Sequence, residues 1–259
     1  MFGRIGNLRA RGLSRRQAAI SVSTFPQLQR ALQTLIRRTV ENTPVGARRI
    51  ILSRPIKFTE TLVIPDGLDG IVLESDPSMV HTKASAVTTF ISIESGCEDV
   101  ELRGLHVKGN DGATDVFLAL AATANARLFN CHDNSNNAIL DFVKASGSVA
   151  VYMRSCEFQG DVDLSGYACS LDAVGNRMQG HVHCGTGSKS ILCGNRIDGN
   201  LTIAGGSYHA ISGNQFAGGT ITLTGTTSAA VVGNTQVGSV VAGTSTLYQT
   251  ATDSDPLNT

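Results

Sequence analysis

The chain has 259 residues, with 16% charged side chains, 5% aromatics, no Trp, 28 Gly and 6 Pro. That length leaves room for one solenoid or two small globular domains. The shortage of aromatic bulk argues against a large globular core and suits a thin stack of medium side chains with glycine at its corners. Net charge is zero, yet residues 1–50 hold ten Arg and one acid, Glu41, while 51–259 hold eleven Lys or Arg against twenty Asp or Glu, a split of +9 and −9.

The chain opens on a basic arm, residues 1–22, carrying Arg4, Arg9, Arg11, Arg15 and Arg16. Such a sign split reads as a docking segment for an acidic surface, or as a solvated leader. Phe2 is the only aromatic among the first twenty residues, so base stacking has little support and an acidic protein surface is preferred to nucleic acid. The first twenty residues lack the apolar centre of a signal peptide, although their Arg-rich, acid-free composition also fits an organellar transit peptide. No apolar run is long enough to span a membrane, so no membrane insertion is expected.

A helix and linker are predicted over 23–46. Thr24 is the expected N-cap, Pro26 falls in the first turn, and Leu28, Ala31, Leu32, Leu35 and Ile36 make one apolar stripe. A solenoid exposes a raw apolar end unless something covers it, and this helix is expected to lie over the first coil.

Residues 47–245 read as coils. VGNRMQG, CGNRIDG, SGNQFAG and VGNTQVG place Asn176, Asn195, Asn214 and Asn234 at intervals of 19, 19 and 20 residues. Each motif is followed by a short alternating strand (DVDL after Gly160, then HVHC, NLTI and TITL), a polar turn, and a second strand back to the Gly-Asn corner. Strand plus turn at this period, with no helical period inside it, predicts an all-β fold: a right-handed, single-stranded parallel β-helix of about nine coils with three short strands per coil. The rod is expected to be about 40–45 Å long. The stacked Asn side chains are expected to form a hydrogen-bonded ladder, with Asn also suited to a left-handed corner. The stretch 149–160 still matches, with Cys156 at the Asn position, while upstream of it the period loosens and His132 and Asp133 fall in what reads as the longest corner. Residues 246–259 are predicted to be a terminal strand and tail. The six Cys form no CxxC pair and read as buried free thiols.

One constellation carries titratable chemistry. Alternation turns Asp161, Asp163, His181 and His183 outward, with Asp161 stacked beside His181 and Asp163 beside His183, continued by Asn200, Thr202, Thr220 and Thr222. Two carboxylates with imidazole could serve glycoside hydrolysis, and Asp with His could ligate a metal. An ion-paired polar stripe is the preferred reading, with no metal and no cofactor.

The Gly-Asn repeat and three-strand coil resemble the pectin-lyase-like β-helix superfamily. The cap helix followed by RRIILSRPIKFTETLVIP resembles the start of phage tailspikes and related virion β-helices. The resemblance covers about residues 24–245. It implies a fold shared by polysaccharide lyases, glycoside hydrolases, phage spikes and adhesins, whose enzymes often place the substrate groove on this same outer face. The NTD, DD, GHG and RIK motifs of the superfamily polygalacturonases do not occur. The expectation is a non-enzymatic virion component of a tailed bacteriophage: a spike, fibre or decoration subunit, homotrimeric, attached to other virion proteins by its basic arm and able to contact host-surface polysaccharide. A phage depolymerase and a non-catalytic glycan-binding adhesin are the alternatives.

Overall fold

The structure, a computed structural model, describes residues 19–40, 48–109, 115–133, 139–166, 168–242 and 246–249. The arm residues Arg4, Arg9, Arg11, Arg15 and Arg16 lie outside the described residues. The described chain is mostly short strands, with one helix, Phe25–Val40. Every described strand pairing is parallel, and the strands stack in register, an arrangement compatible with a parallel β-helix.

The strands fall into three columns. After the helix the chain passes through Arg49–Leu52 in the first column, Lys57–Phe58 in the second and Leu62–Ile64 in the third. Each then pairs with its successor, Val72–Ser75, Val80–Lys83 and Thr89–Ile93 respectively. The second column forms an 8-stranded sheet. Leu201–Ser212 and Thr220–Val232 run without interruption from the third column into the first, joining these two into one 18-stranded sheet. Parallel strands ordinarily need crossover helices; pairing each strand with its equivalent one turn later removes that need.

Alternation sorts the side chains. In Asp161–Leu164, Val162 and Leu164 are buried while both Asp are half-buried, and Val182 and Cys184 repeat the pattern one turn later. Aromatic rings thicken the core of the less regular half: Phe142 stacks on Phe158 with centroids 4.1 Å apart and lies 4.8 Å from Phe117.

The helix covers the first turn as its apolar stripe predicts. Leu28, Ala31, Leu32 and Leu35 are buried, and Phe25 packs 5.3 Å from Phe58. Thr24 Oγ1 accepts the Gln27 N–H, and Gln27 Oε1 accepts from the Ser23 N–H in return, a reciprocal cap. Leu35 is fully buried, so Leu35→Ala is expected to cost about 2–5 kcal/mol, read from urea unfolding. The sheet begins earlier than the sequence suggests. Ile20–Val22, inside the segment read as arm, forms a strand on Arg49–Leu52. At the other end, Thr246–Gln249 pairs with Thr220–Val232.

The ladder is continuous and buried. Asn176, Asn195, Asn214 and Asn234 are at most 3% exposed. Each Oδ1 accepts the backbone N–H of its predecessor: Asn176 from Cys156, Asn195 from Asn176, Asn214 from Asn195 and Asn234 from Asn214, at 2.9–3.0 Å. Each Nδ2 donates backward to a carbonyl of the preceding turn, as Asn195 does to Ala173 at 2.8 Å. The thiols of Cys131 and Cys156 extend the stack upstream, donating to the Leu102 and Leu128 carbonyls. The left-handed residue is not the Asn. It is the Gly before it, with φ 65° at Gly175, 62° at Gly194 and 60° at Gly213, and upstream Asn130 and Ser155 hold that position. The Asn is there to satisfy backbone groups turned inward at the corner.

The second Gly of the motif answers a different demand. A Cβ on Gly199 would lie 2.2 Å from the Gly180 carbonyl oxygen, and one on Gly180 would lie 2.5 Å from that of Gly160. Backbone stacks on backbone there, and Gly199→Ala is expected to cost about 1–3 kcal/mol by overpacking, seen as a lower urea midpoint.

Five of the six Cys are buried free thiols, as expected. Cys193 is exposed on the outer face of the first column, because Ser188–Cys193 ends on an outward position.

Candidate functional site

The stacked register brings the sequence-selected quartet together on the outer face of the third column. Asp163 lies opposite His183, between the Val162–Val182 and Leu164–Cys184 pairs, and the row runs on to Thr202 and Thr222. The two rings stand edge to face, centroids 6.3 Å apart.

The hydrogen bonds show what these groups are engaged in. Asp161 Oδ1 accepts the His181 N–H at 2.7 Å, His181 Nδ1 accepts the Asn200 N–H at 3.0 Å, and Asn200 Oδ1 accepts the Thr220 N–H at 2.9 Å. Thr220 Oγ1 then pairs with Ser239 Oγ at 3.1 Å. This is a second ladder, on the outside, in which each side chain fastens the backbone of the next turn. The bond from Asn200 requires an unprotonated Nδ1 on His181. Asp163 Oδ1 accepts the Ser165 N–H at 3.1 Å in a local turn. Acid–base work on a glycosidic bond needs two carboxyl groups facing each other across bound sugar. Here they sit side by side along one strand, and both are tied to backbone N–H groups. Asp161→Ala is expected to cost about 1 kcal/mol of stability, measured by urea unfolding. Among the described residues no group of three or more His, Cys, Asp or Glu is placed to hold a metal ion.

The outer row of the second column carries His106, His132, Glu157, Arg177 and Arg196 in consecutive turns. Arg177 Nη1 donates to Glu157 at 2.7 Å, while Arg196 turns to Asp198. His132 and Asp133 form a strand rather than a loop. Asp133 is buried and accepts the N–H groups of Gln159 and Gly160 at 2.9–3.1 Å. Burial raises its pKa, and the two N–H groups oppose that rise. It fastens a corner, as the Asn ladder does.

Two polar clusters lie in the core, both built on the inward residues of Val80–Lys83. Lys83 Nζ meets Asp115 at 2.8 Å with both side chains almost fully buried. His81, also fully buried, accepts the Ile56 N–H on Nδ1 at 3.1 Å and pairs through Nε2 with Ser75 Oγ at 2.8 Å. Three clefts among the described residues lie away from the Asp–His stripe. One of about 380 Å³ sits between the helix and the first turn, lined by Gln29, Leu32, Glu60 and Val63. Two more open on the first column, one beside Phe129 and one beside Tyr152. No described helix is long and apolar enough to cross a membrane. Comparison with known proteins gives no match to this chain, whether among protein-family models, curated proteins or solved structures.

Proposed function

We propose that the chain winds as a right-handed parallel β-helix of about nine coils and serves as a non-enzymatic structural subunit of a tailed-bacteriophage virion. In this reading it is a spike, fibre or decoration protein, homotrimeric, held to other virion proteins by its basic arm. The observation that carries the non-enzymatic part is the outer ladder. Asp161 and His181, the groups best suited to acid–base work, are engaged with backbone N–H groups of the next turn. The virion part rests on the resemblance of the capped, Gly-Asn-cornered repeat to phage β-helices and on the charge split between arm and body.

Particle incorporation tests it. The full chain is expected in purified particles at a fixed copy number, and deletion of residues 1–18, which spares the Ile20–Val22 strand, is expected to abolish incorporation. Incorporation without the arm overturns the docking role. Release of reducing ends from bacterial glycans, lost in Asp161→Ala or Asp163→Ala, overturns the non-enzymatic reading.

A further inference from the structure

The outer row of the second column carries two imidazoles in contact. His106 and His132 sit opposite each other in consecutive turns. Both are half-buried, with ring centroids 5.9 Å apart and planes at 58°. Each ring has one nitrogen already committed. His106 Nδ1 lies 3.2 Å from the Pro77 carbonyl oxygen, and His132 Nε2 lies 3.0 Å from Asn130 Oδ1. Both partner oxygens only accept, so each of these nitrogens carries the proton of its ring. A neutral imidazole has one N–H, which leaves His106 Nε2 and His132 Nδ1 as bare lone pairs. Among the described residues neither of these two nitrogens has a hydrogen-bond partner.

The other outward pair of His is spent differently. His181 Nδ1 accepts the Asn200 N–H, so its lone pair serves the backbone and its proton sits on Nε2. At His132 the supporting residue is itself out of pattern. Asn130 holds, at φ 52°, the corner position that Gly175, Gly194 and Gly213 hold in the regular half. Asn brings a side-chain oxygen where Gly has none, and that oxygen fixes the tautomer of His132. One ring N–H held by a carbonyl or amide oxygen, with the other nitrogen free, is the arrangement of a metal-ligating histidine.

We propose that His106 and His132 together ligate one divalent transition-metal ion, of the class Zn²⁺, Ni²⁺ or Cu²⁺, and so clasp two turns of the stack. Two imidazoles that share an ion at about 2.0–2.1 Å from each nitrogen place their ring centroids about 5–6 Å apart, which the observed separation matches. Imidazole nitrogen suits these metals, whereas Ca²⁺ and Mg²⁺ take oxygen. Water completes the coordination. Glu157, opposite His132 in the following turn, adds negative charge beside the ion, with its Oε1 held by Arg177. The clasp falls where the polar ladder gives out. The buried Asn side chains begin at Asn176, while the strands joined here, His106–Lys108 and His132–Asp133, are three and two residues long. An ion across them fastens the less regular half as the Asn bonds fasten the regular one. None of this depends on what the chain attaches to.

Calorimetric titration of the full chain with ZnCl2, after removal of metal by a chelator, tests the site. One ion is expected to bind per chain. His106→Ala and His132→Ala are each expected to weaken binding by at least about tenfold. Asn130→Gly removes only the supporting oxygen and leaves a residue suited to φ 52°, and it is expected to weaken binding by about 10–100-fold. His183→Ala and Cys193→Ser change an exposed imidazole and an exposed thiol elsewhere, and both are expected to bind as the parent does. Zn²⁺ is also expected to raise the urea midpoint of the parent but not of a chain carrying both His106→Ala and His132→Ala. A second readout needs no substitution: the parent loaded with one Cu²⁺ is expected to show electron paramagnetic resonance splittings from two imidazole nitrogens. Absence of saturable Zn²⁺ binding overturns the proposal, as does binding unchanged in both His variants. Affinity lost instead in His183→Ala or Cys193→Ser, or a copper spectrum with fewer than two ring nitrogens, overturns it too.

Discussion

Asn195→Ala is expected to lower the unfolding free energy by about 3–5 kcal/mol. The side chain is 2% exposed. Its Oδ1 takes both the N–H and the Nδ2 of Asn176, and its Nδ2 serves the Ala173 carbonyl. Alanine strands these groups in the core, each at about 1–3 kcal/mol, and opens a small cavity besides. Asn195→Asp keeps the acceptor and loses the donor, so it separates the two halves of the bond set. Urea titration of the three proteins side by side checks the order: parent, then Asp, then Ala. An Ala variant within 1 kcal/mol of the parent would show that the corners hold without the ladder.

Acid is expected to weaken the fold through His81. Burial pushes its pKa down from 6.5 to about 4, with the neighbouring His106 charge adding to the effect. The native imidazole is held neutral by accepting the Ile56 N–H. Between these values the unfolded chain binds a proton that the native chain refuses. Stability is therefore full above pH 6.5 and falls as pH drops toward 4, by about 3 kcal/mol in all. Burial lowers His209 too, which adds to the same slope. Asp133 works the other way at the acid end, since its raised pKa lets the native state take up its proton first. Denaturant unfolding at pH 7.0, 6.0, 5.0 and 4.5 measures the slope. His81→Phe is expected to flatten much of it, whatever its effect on stability at pH 7. An unchanged slope in that variant would place the acid sensitivity elsewhere.

The regular half was legible because its period is nearly constant. With intervals of 19, 19 and 20 residues, Asn176 predicts Asn195, and Asp163 can be placed opposite His183 from the sequence alone. The structure sets Asp163 opposite His183 in that register, but the engagement of these groups was not visible, since nothing in DVDL or HVHC says that a carboxylate will fasten the next backbone N–H. Upstream the partners are farther apart: Asn125 meets Ala150 across 25 residues and Cys131 reaches Leu102 across 29. Variable corners hide register, which is why His106 and His132 do not form a motif in the sequence, and why His132 and Asp133 read as a loop.

The side-chain bonds that tie one turn to the next in the regular half span only 19–23 residues. Each turn needs little more than the one before it, and the cap helix lies near the start of the described chain. Such a chain can wind in the order in which it is synthesised, each completed turn offering the next a ready row of backbone partners, with stability growing by nearest-neighbour steps. Little unpaired strand edge is then exposed at any moment beyond the growing tip, which limits the aggregation that long-range parallel pairing otherwise invites.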